Sequence, residues 1–455
     1  MTVDENLLKT RKHLHFIGIG GSGMFPMVQI LHNEGFYITG SDNNETETTK
    51  IERKMGIPVT LGQAAENIEG ADLIVYTAAI MSDNPELIAA KASGVPCLER
   101  SEMLGLLSKR YNKAVCVAGT HGKTTTSGMI AQVLLESGKD PSAFIGGKVK
   151  ALGGSGRAGK SDIFVVEACE FVDTFLKLSN DISVILNIDN DHLDYFGTIE
   201  NSIKSFRKFA ENNTGLLVVN GDDENTMKAV AGLDKEIITF GWNENNDYYA
   251  KDIKKLGGAK SAYTLMHKGE KVADITLSIP GKHNILNSMA CAAVCIYLGV
   301  EPETVAGNIE KFPGAGRRFE ILGEVNGVTI ADDYAHHPTE LAATLKAAKE
   351  MDFGEVWAVF QPFTYSRTAL LLDDFVTALS VADHVVMSEI MGSREKNTYN
   401  IYTKDLAEKI PGSVWFNTFE EMADYTMSHA KPGDLVITLG CGDVYKCAYI
   451  MAGIK

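Results

Sequence analysis

No stretch of the 455-residue chain reaches the roughly 18 uninterrupted apolar residues of a membrane-spanning helix, so no membrane insertion is expected. The opening residues, MTVDENLLKTRKH, hold no apolar core ahead of a cleavage site, and a secreted product is not expected. Positive charge is scarce. The 43 Lys and Arg are outnumbered by 59 Asp and Glu, for a net charge of -16. Phosphate backbones attract basic surfaces, so the charge argues against a general polyanion binder, nucleic acid included, although not against a local basic pocket for a small phosphorylated ligand. None of the seven cysteines (Cys97, Cys116, Cys169, Cys291, Cys295, Cys441, Cys447) forms a CxxC pair, which argues against a zinc ribbon. Most lie in apolar stretches such as AVCVAG and ACAAVC, and read as buried free thiols in a reducing cytosol. There is no short repeat or low-complexity tract.

The length suggests about three domains. Three segments open alike, with a β-run feeding a turn and then a helix. The first is HLHFIGIGGSGM at 13–24, followed by β-runs ending at Ser41-Asp42, at 71–77 and at 95–98. The second starts at strand 113–118 and continues into a helix from about 123 to 137, with β-runs at 162–168, 182–188 and 215–221. Residues 236–280 alternate in short pieces and read as antiparallel. A helix ends at Gly299. The third segment follows KFPGAGRRFE and carries VTIADDY, VWAVFQP, ADHVVMSEI and DLVITLG as strands. Strands alternating with helices predict parallel sheets covered by helices on their faces. Residues 108–113 and 311–316 are the candidate linkers.

The chemistry centres on Gly119-Thr120-His121-Gly122-Lys123-Thr124-Thr125-Thr126. This loop follows a strand and opens a helix, so successive backbone N–H groups can face a phosphate. Gly119 and Gly122 allow close backbone approach, Lys123 offers a mobile charge to the β/γ-phosphates, and the Thr124 hydroxyl suits Mg2+. Val117 stands where a standard P-loop has its first glycine, so the loop is a shortened variant, GTxGKT. Downstream, Glu167 ends a strand, and Asp191, His192 and Asp194 follow another. Strand ends gather beside such a loop, where a carboxylate and an imidazole can hold Mg2+. Each of these residues alone reads more readily as a cap or a surface pair; together, after a phosphate loop, Glu167 and His192 read as metal ligands. Gly18-x-Gly20-x-x-Gly23 is a weaker diphosphate signal. With Asp42 about 20 residues on, it leaves nicotinamide binding open for that segment alone. Asp332-Asp333-Tyr334-Ala335-His336-His337 and Arg317-Arg318 concentrate acids, imidazoles and guanidiniums at a strand end and a domain boundary.

In chain order, HFIGIGGSGM, GTHGKTTT, EACE, NIDNDHLDYF, GKHNILN, GRRFE, DDYAHHPTE and FQPFTYSRT resemble the Mur ligases, ATP-dependent amide-forming enzymes of bacterial cell-wall synthesis. The resemblance spans the whole chain, and the first and seventh blocks resemble the alanine-adding branch. It implies an α/β fold of three domains: a Rossmann-like UDP-binding domain at 1–110, a P-loop ATPase-like domain with a parallel sheet and a smaller antiparallel part at 111–313, and a Rossmann-like amino-acid domain at 314–455. It implies ATP, two Mg2+ ions, UDP-N-acetylmuramate and L-alanine as ligands, a bacterial cytoplasmic setting, and a monomer or weak dimer. Lys123, Glu167, His192 and Arg318 match the catalytic set. Thr124, Glu167 and His192 match metal ligands. Gly119 to Thr125, Asn284, Arg318 and Asp333 match ATP contacts. Gly18, Gly20, Gly21, Ser22 and Gly23 match the UDP diphosphate loop, with Ser41 and Asp42 toward the uridine. Tyr334, His336 and Arg367 match the muramate and alanine side. Two departures stand out. Thr364 replaces an arginine of some relatives. Arg207, between Lys204 and Lys208, lies where several members carry a carbamylated lysine, so no carbamylated lysine is expected.

Overall fold

A computed structural model of the chain describes residues 6–191, 193–257, 259–393 and 395–454, with the backbone alone at 193 and 194. The chain divides into two compact units. One comprises Met1–Ala250, Leu265–Ala273 and Asn287–Asn308; the other comprises Lys251–Thr264, Asp274–Leu286 and Ile309–Lys455. Among the described residues no helix is long and apolar enough to cross a membrane.

The first unit opens with five strands: β1 (His13–Ile17), β2 (Tyr37–Asp42), β3 (Val59–Leu61), β4 (Leu73–Tyr76) and β5 (Cys97–Glu99). They form a parallel sheet in the order β3-β2-β1-β4-β5. Helices connect them, as a parallel sheet requires. Alternation along β1 divides its side chains between the faces. Leu14 and Phe16 join the main apolar core, and Ile17 packs with Ile74 and Ala90 on the other side. The chain order reverses beside β1, so the loop after β1 opens at a topological switch point, where such sheets bind ligands.

The second sheet is built from β6 (Lys113–Ala118), β7 (Ser142–Val149), β8 (Gly154–Arg157), β9 (Ile163–Glu167), β10 (Ile182–Ile185), β11 (Leu216–Asn220), β12 (Glu236–Gly241), β13 (Tyr248–Gly257), β14 (Lys260–His267) and β15 (Glu270–Leu277). Its order is β15-β14-β13-β12-β11-β10-β6-β9-β7-β8. β6 lies between β10 and β9, parallel to both, so its loop also opens at a switch point. The stretch read as antiparallel starts differently: β12 pairs parallel with β11. The helix Glu224–Val230 between them makes a crossover, which returns the chain parallel. The two-residue turn Lys268-Gly269, with φ of 49° and 90°, then joins β14 to its neighbour β15 as a hairpin. The antiparallel pair β7–β8 has no counterpart in the sequence reading. Residues 108–113 are packed rather than loose: the Tyr111 ring stacks on Phe164 at 4.8 Å, and Arg110 pairs with Glu34 at 2.7 Å.

The second unit contains a sheet of β16 (Glu320–Val325), β17 (Val328–Asp333), β18 (Val356–Phe360), β19 (His384–Ser388), β20 (Val414–Phe416) and β21 (Leu435–Leu439). The order is β16-β17-β21-β18-β19-β20, parallel except at the β16 edge. Both faces are buried. Val356, Ala358 and Phe360 enter one core, and Trp357 and Val359 enter the other.

Candidate active site

The loop after β6 leads into the helix Lys123–Glu136. Gly119 and Gly122 have φ of 139° and 87°, open to glycine and strained for other residues. Space is a second constraint. A Cβ on Gly119 would lie 2.9 Å from Leu186 Cβ, and one on Gly122 would lie 2.6 Å from Asn287 Oδ1. Asn187 fixes the loop from the neighbouring strand end. Its side-chain oxygen accepts from the His121 N–H at 2.8 Å, and its amide donates to the His121 carbonyl at 3.1 Å. The Asp189 N–H donates to Thr120 Oγ1 at 2.9 Å, and His121 Nε2 lies 3.2 Å from Asp189 Oδ2. Thr125 is buried in the first helical turn.

Lys123 folds back over the loop. Its ammonium donates to the carbonyls of Gly119 at 2.6 Å and Thr120 at 3.0 Å, and it pairs with Glu170 at 3.0 Å. Burial works against its charge, but Glu170, Cys169 and Glu167 outweigh burial and hold its pKa above the ordinary lysine value. Lys123 therefore stays charged. The Thr124 hydroxyl donates to Glu167 Oε1 at 3.0 Å, and the Gly146 N–H holds Glu167 Oε2 at 2.7 Å. Two hard oxygen donors thus meet beside the loop, which fits a small divalent cation that keeps water and phosphate oxygens as its other ligands. His192, the remaining expected metal ligand, lies outside the described residues. Arg207 points elsewhere: it donates to the carbonyls of Ala231 at 2.9 Å and Ala229 at 3.3 Å.

Also in the first unit, a cleft of about 590 Å³ opens at the end of β1. Gly18, Gly21, Asp42, Asn44, Gln63 and Asn84 are among its walls. Asp42 braces the glycine loop, accepting from the Gly20 N–H at 3.0 Å, and caps its own turn through the Asn44 N–H at 3.0 Å. A Cβ on Gly23 would lie 3.5 Å from the Arg100 guanidinium, so a cation stands beside the glycine loop. Ser41 does not face this cleft. It is fully buried, and its hydroxyl donates to both Glu86 oxygens at 2.9 and 2.8 Å. Strand alternation turns Ser41 away from the side that Asp42 presents.

In the second unit, Asp333 ends β17 in a buried position. It accepts from the N–H groups of Phe319 and Ala335, both at 2.7 Å. Burial pushes its pKa up to about 6 against the opposing charge of Arg318. The Arg318 guanidinium lies 5.2 Å over the Tyr334 ring, and His336 meets the same ring edge-on at 5.6 Å. Arg317 is held from several sides. It donates to Asp332 at 2.8 Å and to the Gly440 carbonyl at 2.6 Å, between the rings of Tyr334 and Tyr445. Thr364 caps the helix Tyr365–Leu370 that carries Arg367, accepting from the Arg367 N–H at 3.4 Å. The Asn284 amide donates to the Pro280 carbonyl at 2.6 Å.

Sequence reasoning missed Glu170, Asn187, Gly146 and Arg100. The second acid of EACE and the asparagine opening NIDNDH were visible. Gly146 and Arg100 carried no signal, because only the fold brings them to Glu167 and Gly23.

Three family models match the chain: the Mur ligase family catalytic domain at 13–112, the Mur ligase middle domain at 117–295, and the Mur ligase glutamate ligase domain at 317–442. The UDP-N-acetylmuramate–L-alanine ligase of Agathobacter rectalis is 45% identical over 439 residues, covering 95% of this chain and 96% of that one. Its counterpart in Caldanaerobacter subterraneus subsp. tengcongensis is 44% identical, with 96% and 97% covered. The crystal structure of the UDP-N-acetylmuramate–alanine ligase of Thermotoga maritima superposes with a TM-score of 0.83 at 29% identity, covering 97% of this chain and 98% of that one.

Proposed function

This chain belongs to the Mur ligase family, and from that premise we infer that it is an ATP-dependent ligase of peptidoglycan synthesis, joining L-alanine to the lactyl carboxylate of UDP-N-acetylmuramate. The supporting observation is full-length similarity to ligases of that name, together with a charged lysine, a threonine and an acid gathered on one phosphate loop.

The lactyl carboxylate attacks the γ-phosphorus of ATP and ADP leaves, giving an acyl phosphate. The L-alanine amine then attacks the acyl carbon, and the tetrahedral intermediate collapses with loss of phosphate and a proton. Both partners of the first step are anions, so the loop must supply positive charge where negative charge builds up. Lys123 does so once nucleotide draws it from Glu170. Thr124 and Glu167 would hold a Mg2+ ion, which neutralises phosphate charge when bound. In this reading His192 serves a second ion, Asp333 and Arg318 meet the nucleotide, and Tyr334, His336 and Arg367 face the amino acid. Arg100 and Gly18 to Gly23 take the UDP diphosphate. The three domains run 1–110, 111–313 and 314–455, and the enzyme works in the cytoplasm as a monomer or weak dimer.

ADP release from the purified chain, followed with UDP-N-acetylmuramate and a panel of amines, tests the reading. Turnover should need the nucleotide sugar and be highest with L-alanine. A clear preference for another amino acid, or for a whole tripeptide offered in competition, would assign the chain to a different branch.

A further inference from the structure

Glu86 is an acid with no exposed surface. It follows Pro85 at the start of the helix Pro85–Ala92. Three side chains converge on its carboxylate. His15 Nε2 lies 2.7 Å away, the Ser41 hydroxyl reaches both oxygens, and the Asn67 amide donates at 3.1 Å. These partners stand on β1, on β2 and on the short turn Ala65–Ile68. Each element leads into a wall of the 590 Å³ cleft: β1 into Gly18, β2 into Asp42 and Asn44, and the helix start into Asn84. Asn84 caps that helix and donates to Gln63, just ahead of the turn.

A row of hydrogen bonds extends behind Glu86. His15 Nδ1 meets Thr39 Oγ1 at 2.8 Å, His13 Nε2 meets the same oxygen at 2.8 Å, and His13 Nδ1 meets the Gly70 carbonyl at 2.7 Å. With the His15–Glu86 contact, the row runs unbroken from Glu86 to the Gly70 carbonyl. The buried carboxylate thus has three side-chain partners and a line of hydrogen bonds behind it, and a partnered buried polar network rigidifies what it joins.

We propose that Glu86 is a positioning residue for nucleotide-sugar binding: it draws β1, β2 and the helix start together so that the cleft is preformed for a uridine diphosphate group. This rests on the reading that the cleft takes the UDP end of the substrate. Glu86 touches no substrate itself. It acts through Asn84, Asp42 and the glycine loop.

The test is calorimetric titration of UDP into the full chain and into its Glu86→Gln and Ser41→Ala variants, with steady-state kinetics on each. The carboxamide turns one acceptor into a donor that faces the Asn67 amide. Glu86→Gln should weaken UDP binding about tenfold, ~1.4 kcal/mol, and raise KM for the nucleotide sugar alike, with kcat and KM for ATP nearly unchanged. Ser41→Ala keeps the charge and removes one donor, and should weaken UDP about threefold. A general structural defect would instead lower kcat and disturb KM for ATP as well. A folded Glu86→Gln chain with wild-type UDP affinity overturns the proposal. If that variant does not fold, wild-type affinity in Ser41→Ala overturns it. Wild-type enzyme that turns over UDP-N-acetylmuramate but binds no UDP in this cleft would remove the cleft reading, and the proposal with it.

Discussion

Gly146→Ala isolates the geometry of Glu167. Gly146 is exposed on β7, and its φ lies outside the left-handed region, so alanine fits its backbone. The space is the obstacle. The new Cβ would stand 2.6 and 2.7 Å from the two Glu167 oxygens, whereas ordinary contact begins at 3.4 Å. The carboxylate must retreat by about 0.8 Å, and the bonds from Gly146 N–H and Thr124 Oγ1 cannot both survive that shift. Misplacement on this scale costs on the order of 100-fold in rate, and displacing a metal ligand's support costs about 10–100-fold in affinity. The backbone gains a little rigidity, so stability should change by less than about 1 kcal/mol. The expected outcome is a chain with near-wild-type Tm, kcat down on the order of 100-fold, and a half-saturating Mg2+ concentration raised at least about tenfold. Unchanged kcat and Mg2+ dependence would show that this placement of Glu167 does not matter for turnover.

Three further outcomes follow from charged groups. Lys123→Ala should lose turnover by at least about 1,000-fold and also lose stability, because Glu170 is left buried without its cation. Adding Glu170→Gln should restore Tm but not activity. Arg317→Ala strips the buried Asp332 of its partner and should cost about 3 kcal/mol in denaturant unfolding. Arg317→Lys should recover little of it, since an ammonium cannot reach both Asp332 and the Gly440 carbonyl from between two rings. Glu52 is fully buried, neither of its oxygens has a hydrogen-bond partner among the described residues, and burial, with Asp42 nearby, raises its pKa to about 8. A raised folded pKa means that this group's stabilising contribution is complete below the unfolded value of 4.5 and is lost as pH rises through 8. Glu52→Gln should therefore melt higher than wild type at pH 9 and differ little at pH 4. A constant Tm difference across that range would refute the assignment.

The loop at 119–126 was the most legible feature, because its strand, glycines and helix are contiguous in sequence. The parallel sheets were legible for the same reason: each β-run is followed by its own helix. The direction of β12 was not, since a short β-run carries no sign of its direction and the intervening short helix decides it. Ser41 shows a related limit. The family resemblance placed it toward the uridine, but the pleat turns it toward Glu86. Glu86 itself sits 45 residues further on, in a plain helical stretch, and only packing reveals that it is the acceptor for three separate elements. In the arginine pair, sequence marked both members, while only the structure shows Arg317 held by Asp332 and the Gly440 carbonyl and Arg318 lying over the Tyr334 ring.

The central claim is that the phosphate loop directs the γ-phosphate of ATP onto a sugar-linked carboxylate. Turnover of UDP-N-acetylmuramate labelled with oxygen-18 in its lactyl carboxylate, with ATP and L-alanine, tests it most directly by mass spectrometry. The expected result is one labelled oxygen in each released phosphate and one retained in the amide. Amide formation with unlabelled phosphate would contradict carboxylate attack on the γ-phosphorus, and with it the roles of Lys123, Thr124 and Glu167 in directing that attack.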